Sequence, residues 1–232
     1  MNYIDIYDLI EQLLKHHNIS KHIISLVDVK DKDKLRLLID WCIDKKIIEE
    51  DDDNIKLLRP VEFLISLSNF GIQPDRFSVY IEWNEFEQYV SWLLAELGWD
   101  VYANYLHTKA DRFQIDVIAL NELLKLTLFV ECKHWKKLSR VRLDIGKVVE
   151  KHIKRVEKYL RNCEWVCIKI TKLRNAEHIL PVIIILFDSP IKVLNGVPIV
   201  PIYKVIDFVI NIDSYIDTLN LVLYKNRCYI GS

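Results

Sequence analysis

The sequence predicts an α/β protein with a mixed central sheet flanked by helices, preceded by a smaller α+β unit. Between residues 84 and 187 the pattern follows the order helix, three strands, helix, two strands. Residues 1–60 instead contain three helix-like segments followed by a hairpin. The composition, 51% hydrophobic with only 5 Gly and 6 Pro, is typical of a globular chain and excludes collagen-like and disordered proteins.

The N-terminal unit is predicted from the spacing of its apolar residues. Apolar residues at 6, 9, 10, 13 and 14 have helical spacing, Ser20 is a suitable N-cap for a second helix, and a third helix begins near Asp33. Two short strands flank the turn-forming residues 51–54. This order resembles a winged-helix domain, in which the third helix contacts DNA. Because Asp residues are interleaved with Lys residues there, contact with a protein or a packing role is an equal alternative to DNA contact.

The rest of the chain is predicted to be a second domain, residues 79–232, joined to the first by a helix and a linker at residues 61–78. A helix is expected over residues 84–97, where Gly98 is suited to end it. Strands are expected at residues 99–105, 113–119, 127–133, 165–170 and 181–187, and a further helix near residues 203–209.

Positive charge is concentrated in one segment. The whole chain has a net charge of −1, but residues 133–161 contain eleven basic and three acidic residues, a net charge of +8. The apolar positions between 145 and 160 have helical spacing, which places the basic positions on the opposite face. Such a helix can pack on a sheet and offer cations to phosphates, although a charged run of this kind is also typical of a plain solvated face.

Five cysteines at irregular spacing predict neither a disulfide framework nor a zinc site, so we expect buried thiols. Cys163 and Cys167 fall in the segment predicted as a strand. The longest apolar stretch, residues 180–187, is far shorter than the roughly 18 residues of a membrane span. The first residues lack the features of a signal peptide. We therefore expect a cytoplasmic protein that does not enter the membrane.

The segments 114–119 and 126–133 are two apolar strands joined by a short polar connection, which predicts an antiparallel hairpin. A turn centred between Leu123 and Leu124 places Asp116 opposite Glu131. Lys133 lies two residues after Glu131 and therefore on the same face of the strand. Two neighbouring carboxylates repel each other, and a divalent cation with oxygen ligands relieves that repulsion. Mg²⁺ is the best fit, with Mn²⁺ as a substitute, and a lysine beside it suits phosphodiester hydrolysis.

Each of these residues also has an ordinary structural explanation. Asp116 can cap a strand end, and Glu131 with Lys133 can form a surface cross-strand pair. The position of the residues on consecutive strands, after one helix and before a basic helix, favours the chemical interpretation.

Residues 86–160 resemble the PD-(D/E)xK nuclease superfamily, in particular the Mrr-like restriction endonucleases and the archaeal Holliday-junction resolvases. The helix element Phe86-Glu87-Gln88-Tyr89-Val90 precedes Asp116 and the Glu131-Cys132-Lys133 triplet, as in those families. The resemblance implies a restriction-endonuclease-like core. It implies that Asp116, Glu131, Glu87 and the main-chain carbonyl of Cys132 hold the metal and that Lys133 is the catalytic lysine. Ile115 stands where the family name has Pro, a position that varies within the superfamily.

Other residues near the motif have two interpretations. Glu87 also fits a capping box with Asn84 as the N-cap, and Glu85 is then the substitute acid. Gln114 shares a face with Asp116, His134 and His152 are possible phosphate contacts, and Trp135 is a possible base-stacking residue. For these last four, an ordinary surface or core role is the first expectation.

We therefore expect a Mg²⁺-dependent DNA endonuclease. Its winged-helix-like domain, residues 1–60, is expected to assist DNA binding, and a homodimer would suit the cutting of both strands. The alternatives are a DNA-binding regulator that kept a nuclease fold without activity, and a module that binds an acidic protein. The basic residues expected to contact DNA are Lys136, Lys137, Arg140, Arg142, Lys147, Lys151, Lys154, Arg155 and Lys158.

Overall fold

The structure is a computed structural model that describes residues 4–109, 111–135 and 138–231, with the side chains of residues 29 and 138–142 outside the description. The chain divides into two compact units, Met1–Glu85 and Phe86–Ser232. In the described part of the chain, no helix is both long and apolar enough to cross a membrane.

The described residues of the first unit form four α-helices and a small antiparallel sheet before the start of a fifth helix. Its elements, in chain order, are α1 (Ile6–His16), β1 (Asn18–Ser20), α2 (Lys21–Ser25), α3 (Val29–Asp44), β2 (Ile48–Glu50), β3 (Asn54–Leu57) and α4 (Pro60–Ser66). The sheet has the order β1-β3-β2. The apolar residues of α1 that have helical spacing are buried, and Ser20 caps α2 by accepting a hydrogen bond from the His22 amide. The third helix begins at Val29, four residues earlier than the sequence predicts, with Asp28 as its N-cap.

Two 3₁₀ segments, Leu67–Phe70 and Pro74–Tyr80, follow α4. The remaining elements, in chain order, are α5 (Trp83–Glu96), β4 (Asp100–His107), β5 (Phe113–Asn121), β6 (Leu126–Lys133), α6 (Leu138–Lys169), β7 (His178–Ile185), β8 (Val193–Leu194), β9 (Val197–Pro201), α7 (Val205–Ile210), α8 (Ile212–Thr218) and β10 (Tyr224–Lys225).

The second unit is built on a seven-stranded mixed sheet of order β4-β5-β6-β7-β9-β8, with β10 paired to β7. The pairs β4/β5 and β5/β6 are antiparallel, whereas β6/β7 and β7/β9 are parallel. Parallel neighbours need a crossover connection, and α6 supplies it between β6 and β7. The buried residues Phe129, Val156 and Tyr159 belong to one core cluster of α6 and the sheet. This arrangement is the predicted mixed α/β core flanked by helices.

The predicted strand at residues 165–170 is wrong, because α6 continues to Lys169 as a single helix of 32 residues. Aromatic and β-branched residues in this segment favour a strand by local preference. Their burial follows the helical period instead, since Cys163, Val166 and Ile170 are buried while Trp165 and Ile168 are exposed.

The expectation that all five cysteines are thiols is also wrong. Cys163 and Cys228 form a disulfide across 65 residues of sequence, while Cys42, Cys132 and Cys167 are free and buried as predicted. The C-terminal strand β10 pairs with the start of β7 and so brings the chain end close to α6. Sequence spacing carries no information on that tertiary approach.

Candidate active site

The hairpin of β5 and β6 has the register that the sequence predicts. Val117 lies opposite Val130, and Ile118 lies opposite Phe129. Asp116 and Glu131 lie one residue beyond the pair of Val117 and Val130 on either strand, and their carboxylates are close enough for Glu131 to raise the pKa of Asp116. Both strands are buried almost throughout, so these carboxylates are held at the end of an apolar hairpin.

Asp116 is buried and its carboxylate is fixed by the main chain of the neighbouring strand. Its Oδ2 accepts a hydrogen bond from the Cys132 amide at 2.9 Å. Burial and the nearby charges of Glu131 and Glu87 raise the pKa of Asp116 to about 7, against the lowering effects of the Cys132 N–H and Lys133. Burial is the largest of these effects, and the two neighbouring carboxylates act in the same direction.

Glu131 is also buried, and both of its carboxylate oxygens have cationic partners. Lys133 Nζ lies 2.6 Å from Oε1, and the Arg155 guanidinium forms an ion pair with Oε2. The predicted shared face of Glu131 and Lys133 is thus confirmed as a direct ion pair. Arg155 reaches the same carboxylate from α6, which the sequence pattern did not suggest.

His152 lies directly behind Glu131 in the core. The ring is fully buried, and its Nε2 is 2.8 Å from the carbonyl oxygen of Phe129. A carbonyl only accepts hydrogen bonds, so Nε2 carries the proton and Nδ1 is left as a bare acceptor 4.0 Å from Glu131 Oε2. Burial is the main cause that lowers the pKa of His152 to about 4, so the ring is neutral near neutral pH. Sequence reasoning treated this residue as ordinary because a buried polar contact leaves no spacing pattern.

Glu87 is buried near the start of α5. Glu85 Oε2 accepts a hydrogen bond from the Glu82 amide at 2.7 Å, because the helix begins at Trp83, one residue earlier than predicted. Glu85 thus caps the helix and also pairs with His17 at 3.4 Å. The capping-box interpretation of Glu87 stays a prediction. Glu87 lies close enough to Asp116 to raise the pKa of that carboxyl.

The donors gathered here are oxygen atoms, which suit Mg²⁺ or Mn²⁺ better than softer metals. Cys132 donates its amide toward Asp116, and in an extended strand the carbonyl of a residue points to the same side as its amide, which supports the implied main-chain ligand. Among residues 4–109, 111–135 and 138–231, no three His, Cys, Asp or Glu side chains are grouped tightly enough to hold an ion as they stand.

The predicted basic surface is partly exposed and partly engaged. Lys147, Lys151 and Lys154 are exposed on α6, whereas Lys158 is half-buried and donates to the Arg112 carbonyl at 2.9 Å. Arg155 is paired with Glu131. Lys136 and Lys137 lie outside the described residues, as do the side chains of Arg140 and Arg142.

The other residues near the motif that the sequence singled out differ in their exposure. Gln114 is exposed on β5, and the His134 ring lies 6.3 Å from that of Phe86. Trp135 is half-buried against a core cluster that includes Ile145 and Val149, which agrees with a core aromatic.

Comparison with known proteins gives one informative match. Residues 79–164 match the Mrr catalytic family, described as a restriction endonuclease. No curated protein and no solved structure matches the chain significantly. The matched segment contains Glu87, Asp116, Glu131 and Lys133 together with most of the basic face of α6. Residues 79–164 of this chain are therefore a restriction endonuclease domain of the PD-(D/E)xK type.

Proposed function

We propose that this chain is a divalent-metal-dependent DNA endonuclease that hydrolyses phosphodiester bonds at Asp116, Glu131 and Lys133. The observation that carries the proposal is the register of β5 and β6. The paired residues end one position before Asp116 and Glu131, the two buried carboxylates are close enough for Glu131 to raise the pKa of Asp116, and Lys133 Nζ lies 2.6 Å from Glu131. Buried charges of this kind are costly for stability, and a catalytic role accounts for that cost.

In this proposal Asp116, Glu131 and the Cys132 carbonyl hold Mg²⁺, or Mn²⁺ in its place, and Glu87 completes the negative field. An ion held by these residues would supply Lewis-acid chemistry: it would lower the pKa of a water and polarise a phosphate oxygen. Asp116 is kept in place by the Cys132 amide, so its orientation does not depend on a flexible loop. Lys133 offers its ammonium to the attacking water or to the charge that develops on the phosphate oxygens.

DNA would lie along the exposed cations of α6. Lys147, Lys151 and Lys154 follow one another at helical spacing on the exposed face, and regularly spaced cations suit the phosphates of a DNA backbone. Residues 1–60 have the helix and hairpin order of a winged-helix domain and are proposed to assist DNA binding. Cutting both strands requires two active sites, which a homodimer would supply.

The experiment is a cleavage assay on four DNA substrates: supercoiled plasmid, methylated plasmid, single-stranded DNA and a synthetic four-way junction. We expect Mg²⁺-dependent cutting of at least one substrate, loss of cutting with EDTA, and recovery with Mn²⁺. Binding without cutting on every substrate would contradict the endonuclease and favour a regulator. Absence of binding at low salt would favour a module that contacts an acidic protein.

A further inference from the structure

Glu131 presents an unusual arrangement for a proposed metal ligand. Oε1 is paired with Lys133 and Oε2 with Arg155, so each oxygen already has a cationic partner. A carboxylate oxygen has a second lone pair, so a divalent cation can share Glu131 with these partners, but two positive charges on one carboxylate oppose the binding of a third. The partner that can move away decides how metal binding is coupled to the rest of the molecule, and this inference rests on the function proposed above.

Lys133 is the less movable of the two. It lies two residues from Glu131 on the same strand and face, and its side chain is 19% exposed. Arg155 comes from a different element, α6, and its side chain is 28% exposed. Arg155 is the partner that can turn outward.

Arg155 also lies beside the proposed path of the DNA. Lys151 and Lys154, on the same helix, are exposed. A guanidinium matches carboxylate and phosphate equally well, because its forked donors bind two oxygens of either group. A DNA phosphate near Lys151 is therefore a ready alternative partner for Arg155.

We propose that Arg155 couples metal binding to DNA binding: without DNA it pairs with Glu131 and competes with the divalent cation, and with DNA it exchanges Glu131 for a backbone phosphate. The nuclease then acquires its metal mainly when DNA is bound. In this role Arg155 is a positioning residue that acts through Glu131.

Linkage makes this coupling reciprocal. If DNA increases the affinity for metal by some factor, metal increases the affinity for DNA by the same factor. Both sides are measurable without following catalysis. Such coupling requires that each ligand binds the two states of Arg155 with different free energies. The metal favours the state in which Arg155 has left Glu131, and DNA favours the same state because Arg155 then binds a phosphate.

The first measurement is Mn²⁺ binding to the full-length, DNA-free protein, followed by the electron paramagnetic resonance signal of the free ion. Arg155→Gln removes the charge, while its amide still donates to Glu131. We expect this variant to bind Mn²⁺ roughly tenfold more tightly than wild type. Lys154→Ala is the matched control, since it removes an exposed cation of the same helix, and it should keep the wild-type Mn²⁺ affinity.

The second measurement is the affinity for a fluorescent duplex, by anisotropy, with and without Ca²⁺ at constant ionic strength. Wild type should bind the duplex roughly tenfold more tightly with Ca²⁺, and Arg155→Gln should lose most of that gain. Lys154→Ala should bind DNA more weakly yet retain the gain. Arg155→Lys, which keeps the charge but lacks the fork, is a second variant in case the first unfolds, and it should weaken the coupling.

Equal Mn²⁺ affinities of wild type and Arg155→Gln, or an unchanged Ca²⁺ gain, would overturn the coupling. If wild type still binds Mn²⁺ and cuts DNA in that case, the proposed function survives. If wild type binds no Mn²⁺ with or without DNA, or if Asp116→Ala binds Mn²⁺ as tightly as wild type, the proposed function fails together with the coupling.

Discussion

The main-chain amide of Cys132 donates a hydrogen bond to the carboxylate of Asp116 across the β5/β6 hairpin, at 2.9 Å. This bond ties the position of a buried carboxylate to the register of two core strands. Strand registers are hard to shift, because a slip of one residue would turn every side chain to the opposite face. The orientation of Asp116 is thus fixed by the fold.

Asp116 should make the metal-free protein less stable as the pH rises. Its folded pKa of about 7 exceeds the ordinary value of 3.8, so the folded state holds a proton that the unfolded state releases. The free energy of unfolding therefore falls between these two values and is lowest above the folded pKa. Asp116→Asn should stabilise the protein at about pH 8 by on the order of 2 kcal/mol, and hardly at about pH 4.

The check is urea denaturation of the wild type and Asp116→Asn in EDTA at both pH values. Taking the difference between the proteins cancels the other titrating groups. An equal effect at both pH values would mean that Asp116 is not destabilised by burial and neighbouring charge.

Lys133→Met should abolish cleavage with little loss of DNA affinity. The variant keeps most of the apolar stem but removes the ammonium 2.6 Å from Glu131. We expect a fall in the rate of at least about 10²-fold, as for loss of a positioned acid–base or charge-stabilising group. Single-turnover cleavage and anisotropy measure the two quantities separately. An equal loss in both would assign Lys133 to DNA binding.

Lys151 should contribute to DNA affinity through phosphate contact. Lys151→Ala should weaken binding to all duplex sequences alike and reduce the slope of log affinity against log salt concentration by roughly 1. Lys172→Ala is the control, because Lys172 pairs with Asp100 at 2.7 Å and lies beyond the basic face of α6. Equal salt slopes for wild type and Lys151→Ala would remove this residue from the DNA contact.

Asn226 should be important for the stability of the second unit. Its Nδ2 donates to the carbonyls of Leu173 and Ala176, both at 2.8 Å, and its Oδ1 accepts from Tyr159 and from the Cys228 amide. Asn226→Ala leaves these buried groups without that partner and should lower the free energy of unfolding by roughly 3 kcal/mol.

Chemical denaturation monitors this loss, and Asn211→Ala is the matched control. Asn211 makes its hydrogen bonds to Asp207 at an exposed position, so Asn211→Ala should lower the free energy of unfolding by roughly 1 kcal/mol or less. Similar losses for the two variants would contradict the importance of the buried network.

The disulfide should add to this stability. Cys163 and Cys228 are separated by 65 residues, and closing a loop of that length restricts the unfolded chain. Reduction, or Cys163→Ala, should lower the free energy of unfolding by roughly 2–4 kcal/mol. Cys167 lies one helical turn from Cys163 on α6. The control variant Cys167→Ala keeps the disulfide, so reduction should still lower its free energy of unfolding. A wild-type stability unaffected by a reducing agent would contradict the prediction.

Sequence patterns predicted the parts of the fold that repeat locally. The two apolar runs and the short polar connection between β5 and β6 predicted the register in which Val117 lies opposite Val130, and period two placed Lys133 beside Glu131. The helical spacing of the buried residues of α1 was equally readable. These predictions hold because neighbours in sequence determine the geometry.

Contacts between distant segments were not predictable in this way. Arg155 and His152 approach Glu131 only because α6 crosses behind β6, and no spacing in the sequence encodes that crossing. The end of α6, from residue 165, is predicted as a strand because its local preference opposes the helical burial pattern of residues 163–170. Cys228 meets Cys163 through the pairing of β10 with β7, which is also a long-range contact.

The proposed metal-dependent cutting site consists of the buried carboxylates of Asp116 and Glu131 together with Lys133. The most direct measurement is single-turnover cleavage of plasmid or four-way junction in Mg²⁺ by wild type and Asp116→Ala, with folding checked by circular dichroism. Wild type should cut, and the folded variant should still bind DNA but should not cut it. Cutting at the wild-type rate by folded Asp116→Ala would mean that this carboxylate is not part of the cutting site.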